Sequence, residues 1–479
     1  MKIIAEPPFE TWGEILHENV RRRGALSQAL NEAVVSQVRG EVVRAALSYT
    51  AQLRELAGRV GLTISMPPAD YNSTECPIVM AGHQPVIYHP GLLFKNQALS
   101  RLVAETKALG INVIVDTDIG DAGRMMWPVV SSTGIGLREA SISSGGGLYR
   151  DQRVKLIPEL DDVFRPMISD LRAGGLTEQA SRAERVAELY RRLAGENIVI
   201  ANSLVRWSFE TREYLEVPLS QILVLSVVSR ILQELAAHPK RFVEIYNSTL
   251  DQYRAEHRIK NSANPFPNMK IDQESLELPL WEIVGGERRP VLVPQDGVWK
   301  GAGGLLAPRG SIVTFLLRGY CSDLFVHGLG GAKYDRFVDA FASAMSGVTL
   351  PKYVAASRTT YLFPEQVQRY ERARELKSRY KEMVSHTQKF FDQGLFSAED
   401  EARLRPMVNT RQELLRELES AGGGEARSAV AHKLNALNRE IKETIDTSAV
   451  APILADAAID EATFSRWACR EFPFFFFER

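Results

Sequence analysis

The chain has 479 residues, 45% hydrophobic and 24% charged, with a formal net charge of −1. That length exceeds one typical domain and allows a large core, so two or three structural units are expected. The interspersed, nearly balanced charge argues against bulk nucleic-acid binding and points to small-molecule chemistry or protein contact.

Residues 1–75 read as an N-terminal helical segment: 24–60 carry Ala, Leu and Val at helical spacing among Glu and Arg, and 66–77 (MPPADYNSTECP) form a turn-rich connector. The opening MKIIAEPPFE lacks the continuous apolar stretch of a signal peptide. A core with an α/β pattern is expected over 76–364. Within it, 77–80 (PIVM) is a short buried strand, 92–109 an amphipathic helix and 111–115 a second strand ending in Asp116, Thr117, Asp118 and then Asp121.

Residues 80–96, MAGHQPVIYHPGLLFKN, are the most informative stretch. They place Gly82, His83 and Gln84 at a strand end, and His89, Pro90 and Gly91 at a helix start. In an open α/β sheet, ligands bind outside the carboxyl ends of the strands, so this loop and the acidic one are expected to face one pocket. Pro90 begins a helix without forfeiting a hydrogen bond, and the free N–H groups of that first turn suit a phosphate or carboxylate. His83 and His89 are the candidates for stabilising developing negative charge, supplemented by Lys95 and, beside it, Asn96. Asp116 and Asp118 are candidates for a substrate amine, a ribose hydroxyl or Mg²⁺, with one acting as general base if burial raises its pKa. The competing readings are structural: a hydrogen-bonding loop histidine, and aspartates that cap helices or nucleate turns.

Residues 127–310 are expected to hold inserted elements. The chain turns Ser/Gly-rich from 127 to 150, with SSGGG at 143–147 read as a flexible loop, and helices are expected over 178–193, 219–237 and 239–257. The most apolar long window, 218–237, is interrupted by Ser, Gln, Arg and Glu and reads as a buried helix rather than a membrane span. Apolar runs 276–284 and 289–293 flank Gly285-Gly286 and predict a β-hairpin. The run 312–326 then leads into His327-Gly328-Leu329-Gly330-Gly331-Ala332-Lys333, a second glycine-rich strand-to-helix turn. Glycines there let backbone approach an anion, and Lys333, with His327 and Arg318, would add positive charge to the pocket; a packing turn is the equal competitor.

Residues 365–447 predict an antiparallel coiled-coil hairpin. Ala373, Leu376, Tyr380, Met383, Thr387 and Phe390 recur at 3,4 spacing, as do Val430, Leu434, Leu437 and Ile441 after a glycine break. Its expected use is packing or homodimerisation. Residues 448–479 form a tail whose Phe474 to Phe477 run is expected to dock into the core or a partner. Cys76, Cys321 and Cys469 lie far apart without metal-ligand spacing, which argues against a disulfide framework or zinc site and fits a reducing cytoplasm.

In order, these motifs resemble the family of BshC, the cysteine-adding enzyme of bacillithiol biosynthesis. Gly82-His83-Gln84 is similar to its GQQ-type turn, His89-Pro90-Gly91 to its Gly-Pro segment, and Phe94-Lys95-Asn96 to its Tyr-Lys helix. Asp116-Thr117-Asp118 with Asp121 resembles its acidic segment, Gly328-Leu329-Gly330-Gly331 its later glycine-rich turn, and residues 365–445 its coiled coil. The resemblance implies a Rossmann-like parallel core with inserts and a coiled-coil arm. It also implies a ligase-like reaction joining an amino acid to an acceptor, with ATP or ADP as the nucleotide. Here His83 replaces the family's Gln, the acidic segment lacks its His, and Leu92 follows Gly91 where nucleotidyltransferases place a second histidine. The leading expectation is therefore a cytoplasmic, BshC-like ligase acting on small molecules. The alternatives are a non-catalytic nucleotide or sugar-phosphate binder with a coiled-coil partner arm, and a nucleotidyltransferase.

Overall fold

Ile78, Val79, Met80 and Ala81, and all six residues of Leu109–Ile114, are buried on both faces. Strands of that kind belong to parallel sheets covered on both sides. A computed structural model describes residues 2–62, 76–132, 134–210, 212–261, 263–295, 297, 299, 303–422, 424–456, 459 and 461–477. The connector expected at 66–77 falls almost wholly outside them. The chain divides into two compact units, one of residues 1–132, 136–360 and 470–479, the other of 133–135 and 361–469.

In chain order the strands are β1 Lys2–Glu6, β2 Ile78–His83, β3 Leu109–Ile114, β4 Arg124–Ser131, β5 Gly134–Ser141, β6 Tyr214–Pro218, β7 Ser275–Val284, β8 Glu287–Pro294, β9 Leu305–Pro308, β10 Leu324–His327 and β11 Tyr353–Thr359. Six of them form the sheet of the first unit, in the order β1-β11-β10-β2-β3-β6. All neighbours are parallel except β1, which runs antiparallel along the β11 edge. Counting only the parallel strands, the order across the sheet from the β6 edge is third, second, first, fourth, fifth. It reverses between β2 and β10.

Apolar side chains alternate between two clusters, one on each face. Val79, Ala81, Leu324 and Val326 pack with Leu99, Leu102 and Val103 of helix Pro90–Thr106 and with Trp12 and Leu16 of Trp12–Ala29. Ile78, Met80, Phe325 and Leu215 pack on the other face with Val38 and Val42 of Glu32–Arg59 and Phe337 and Phe341 of Leu329–Ser346. The helix after β2 and the helix after β10 therefore cover opposite faces, which opens a crevice where the order reverses.

Some expectations were incomplete. Among its described residues the N-terminal segment is helical as expected but also contributes β1, and its helices Trp12–Ala29 and Glu32–Arg59 are split at Asn31, whose φ is 71°. Residues 127–150 contain most of the two-stranded β4–β5 ribbon, and the SSGGG loop is pinned at its end by the Gly120 N–H on the Gly147 carbonyl. The expected helix 219–237 is two, Leu219–Leu223 and Ser226–Ala236. Gly285 and Gly286 do form the β7–β8 hairpin turn; their φ values of 59° and 82° match the two left-handed positions of a tight type I′ turn.

The second unit is helical. Its paired arms are Ala398–Ser420 and Glu425–Thr447, the first opened by a capping box between Ser397 and Asp400. The expected first arm through 373–390 is instead broken into Pro364–Ser378, Tyr380–Ser385 and a 3₁₀ turn, Thr387–Phe390. Leu376, Met383 and Phe390, spaced by sevens, fold inward onto Phe396, Leu404, Ile441 and Ile445.

The last residues of the first unit run back along it. Phe472 and Phe474 to Phe476 are buried, and Phe475 is 0% exposed. Phe475→Ala should lower unfolding stability by about 3–5 kcal/mol through the cavity it leaves, read as a shift in the urea midpoint at constant slope.

Candidate functional site

The carboxyl ends of β2, β3 and β10 carry the residues expected to act. His83 ends β2, and by strand alternation it shares the face of Val79 and Ala81, which Pro90–Thr106 covers. His327 ends β10, one residue beyond the Val326–Ala81 pair, on the face of Phe325. The two histidines therefore flank the crevice from opposite faces of the sheet and do not form one clamp.

Beneath His83 lies Lys95, 4% exposed, whose ammonium donates to the Gly82 carbonyl. Burial, with the positive charge of Arg206 adding to it, pulls the Lys95 pKa down to about 7. Burial and then Lys95 hold His83 down at about 3, so its ring is neutral at physiological pH. Arg206 is itself paired with Glu216, which also accepts from Asn112 (3.0 Å). Asn96 is 3% exposed and, among the described residues, its Oδ1 has no hydrogen-bond partner. A tightly packed polar floor thus underlies the end of β2. Gly82 packs closely on β3: a Cβ there would lie 3.2 Å from the Val113 carbonyl oxygen, tighter than ordinary van der Waals contact.

Gln84 links this floor to the acidic loop, its amide 3.3 Å from Asp118 Oδ2. Asp118 Oδ1 accepts from Arg288 at 2.5 Å, and the guanidinium of Arg288 lies over the Trp281 ring at 4.6 Å. Arg288 comes from the β7–β8 hairpin, which thereby reaches the sheet edge. Tyr149 stands close by, and burial with the neighbouring Tyr88 and Asp118 pushes its phenol up to about 12. Sequence reasoning missed Arg288, Tyr149 and Arg206. Arg288 is 170 residues from Asp118 in the chain and no local pattern announces the contact.

Other expected residues are committed elsewhere. Asp116 is 3% exposed and accepts from the Ser220 N–H (2.9 Å) and hydroxyl (2.5 Å). Burial raises its pKa against those bonds, but it joins the ends of β3 and β6 rather than facing a ligand. His89 sits at a φ of 78° and its Nδ1 accepts from the Gly91 N–H at 3.1 Å, capping Pro90–Thr106. A Cβ at Gly91 would lie 2.7 Å from the His89 ring, so the His-Pro-Gly sequence builds a close helix start. His89 accordingly occupies a backbone donor that was expected to meet an anion. The C-terminal segment holds the same loop: the His89 N–H donates to the Phe472 carbonyl and the Phe474 N–H to that of Ile87.

His327 bonds Asp335 (2.8 Å), which also takes Arg318 (2.6 Å), so Arg318 serves this buried network rather than the pocket. Gly331 makes room for the His327 ring, where a Cβ would come to 3.0 Å. Gly328 and Gly330 have open space where side chains would stand, and the first turn of Leu329–Ser346 begins between them. Lys333 is exposed on that helix. Of the expected set, Gly82, His83, Gln84, Lys95, Asn96 and Asp118 come together around β2, while Gly328, Gly330 and Gly331 border the crevice from β10.

Among the described residues, no group of three or more His, Cys, Asp or Glu is placed to hold a metal, and no helix is long and apolar enough to cross a membrane. No family model and no curated protein matches the chain.

Two titrations follow. The His83 ring-proton resonance should titrate with a midpoint of about 3; a midpoint at the ordinary value, about 6.5, would refute the burial of its ring. For Lys95 the folded pKa lies below the unfolded one, so the unfolded chain binds more protons between about 7 and 10.5, and stability rises with pH across that window. Lys95→Met should flatten this rise, measured by denaturation at the two ends of the window.

Proposed function

We propose that the chain is a ligase-like enzyme of BshC type with a Rossmann-like core, joining a small amine-bearing molecule to an acceptor with ATP or ADP bound at the β2/β10 crevice. In the family it resembles, the amine is cysteine. The observation that carries this reading is the reversal of the parallel strand order between β2 and β10, with glycine-containing turns on both flanking strands. Doubly wound sheets bind nucleotides at such a reversal because two helices leave it in opposite directions and backbone N–H groups converge there.

In this reading the open first turn of Leu329–Ser346 receives a phosphate, and Gly328 and Gly330 admit its close approach. His83, neutral, donates or accepts a single hydrogen bond without adding charge. Asp118 recognises the amine once Arg288 turns to an anionic group of the acceptor. Mg²⁺, if used, would be held chiefly by nucleotide phosphates, with Asp118 as the available carboxylate. The paired helices Ala398–Ser420 and Glu425–Thr447 serve as a coiled-coil arm for homodimerisation, and cysteines joined in no disulfide suit a reducing cytoplasm.

One observation favours the second reading, binding without catalysis. Asp116, His89 and His327 already hold intramolecular partners, which leaves few groups free to move protons.

Calorimetry with ATP and ADP in the presence of Mg²⁺ tests the shared site, and His83→Ala should weaken nucleotide binding about tenfold, a loss of about 1.4 kcal/mol. Equal affinity in the variant would sink the proposed location. Mass spectrometry of reactions offered cysteine and carbonyl or carboxyl acceptors then separates the readings. A joined product supports the ligase, binding without turnover supports the second reading, and pyrophosphate release supports a nucleotidyltransferase.

A further inference from the structure

The two edges of the six-stranded sheet are finished differently. Every residue of β6 is buried, and its outward backbone is engaged: the Glu216 N–H donates to the Thr50 hydroxyl at 2.9 Å, and that hydroxyl donates to the Glu216 carbonyl at 3.3 Å. Thr50 belongs to Glu32–Arg59, which packs on this edge. β1 closes the other edge, and none of its residues is buried. β11 takes one side of its backbone, while the N–H and C=O groups of the other side have no hydrogen-bond partner among the described residues. Ile3 is 51% exposed, and Lys2 and Glu6 form no ion pair with any described residue. An edge left in this state is a template for another strand.

The sequence of β1, Lys-Ile-Ile-Ala-Glu, identifies that strand, because it complements itself when run antiparallel. Centred on Ile4, a second copy sets Lys2 opposite Glu6, Ile3 opposite Ala5 and Ile4 opposite Ile4. No other antiparallel register pairs all five residues, and this one also pairs both charges. Side chains alternate along a strand, so Lys2, Ile4 and Glu6 share one face, and Ile3 and Ala5 share the other, where Ala5 packs against the cluster of Trp12 and Leu99. One face of the seam then holds two Ile4 side chains between two ion pairs, and on the other Ala5 of the second copy covers Ile3. Opposite charges directly across antiparallel strands attract, and a patch that complements itself gives a closed two-fold contact rather than a growing chain. Pro7 and Pro8 follow Glu6 and limit the seam to these five residues, since proline brings no N–H.

We propose that β1 is a dimerisation edge: two copies of this chain join β1 to β1, antiparallel and centred on Ile4, into one continuous sheet. The seam lies within the first unit and uses neither the crevice nor the paired helices of the second. A five-residue seam falls at the small end of protein interfaces, so the dimer is concentration-dependent.

Carbodiimide cross-linking of the whole chain, mixed with a ¹⁵N-labelled copy, reads the seam directly. Lys2 and Glu6 of one strand stand about 13 Å apart, too far for a zero-length link, so a Lys2–Glu6 link between labelled and unlabelled peptides is expected only across the seam. Its absence at concentrations where the chain sediments as a dimer, or sedimentation as a monomer throughout, would overturn the proposal without relying on any variant. Lys2→Glu and Glu6→Lys should each weaken the dimer about tenfold by setting like charges opposite each other, and an equimolar mixture of the two variants should recover it, since each then meets its complement. Damage to the fold would not give that recovery. Dimers of unchanged strength in both single variants, as association through the paired helices alone would give, would overturn the proposal, and so would a mixture no stronger than either variant.

Discussion

The carboxylate of Asp323, 2% exposed, holds together the two strands on which the rest of the first unit depends. It accepts the N–H of Ile78, the first residue of β2, and stands immediately before β10. Arg39 completes the clamp and also donates to the carbonyls of Cys321 and Cys76. A slip of one residue between parallel strands would move every side chain to the other face, so a buried bond at the strand starts fixes what stands at their ends. With β2 and β10 in this register, Val326 meets Ala81 and His327 comes to the level of Gly82. Removing the carboxylate would leave the buried Arg39 without its counter-charge, a change that commonly costs about 3–5 kcal/mol.

The opposite ends of the same strands show how burial reshapes charge. Lys95, His83 and Arg206 lie close together in a region of low polarisability, where three full positive charges cannot coexist cheaply. Arg206 keeps its charge by pairing with Glu216, while His83 is held neutral and Lys95 is brought near neutrality. The floor of the crevice is therefore less cationic than its residue types suggest. The accessible charge is that of Asp118 and Arg288, whose ion pair is partly open to solvent.

The chain's own punctuation explains why parts of this were legible. The all-apolar runs of β2 and β3, the glycine pair of the β7–β8 hairpin and the apolar spacing of Glu425–Thr447 each write a local preference that tertiary packing leaves unchanged. β1 was missed because an exposed edge strand of five residues carries no periodic signal, and the broken helices of 364–390 because sevenfold spacing serves a small core as well as a coiled coil.

Local sequence determined which residues gather at the strand ends: a strand followed by a polar turn places Gly82, His83 and Gln84 there, and the same rule places His327 and Gly328. Only the tertiary structure decided what each does. Asp116 and Asp118 are two residues apart and chemically identical, yet one is buried against Ser220 and the other meets Arg288 from an inserted hairpin. His89 and His83 share a loop, yet one caps a helix and the other is neutralised by burial over a lysine. The physical reason is that desolvation and partner choice depend on segments far away in the chain. A residue's type fixes its possible chemistry, and its packed surroundings select among those possibilities.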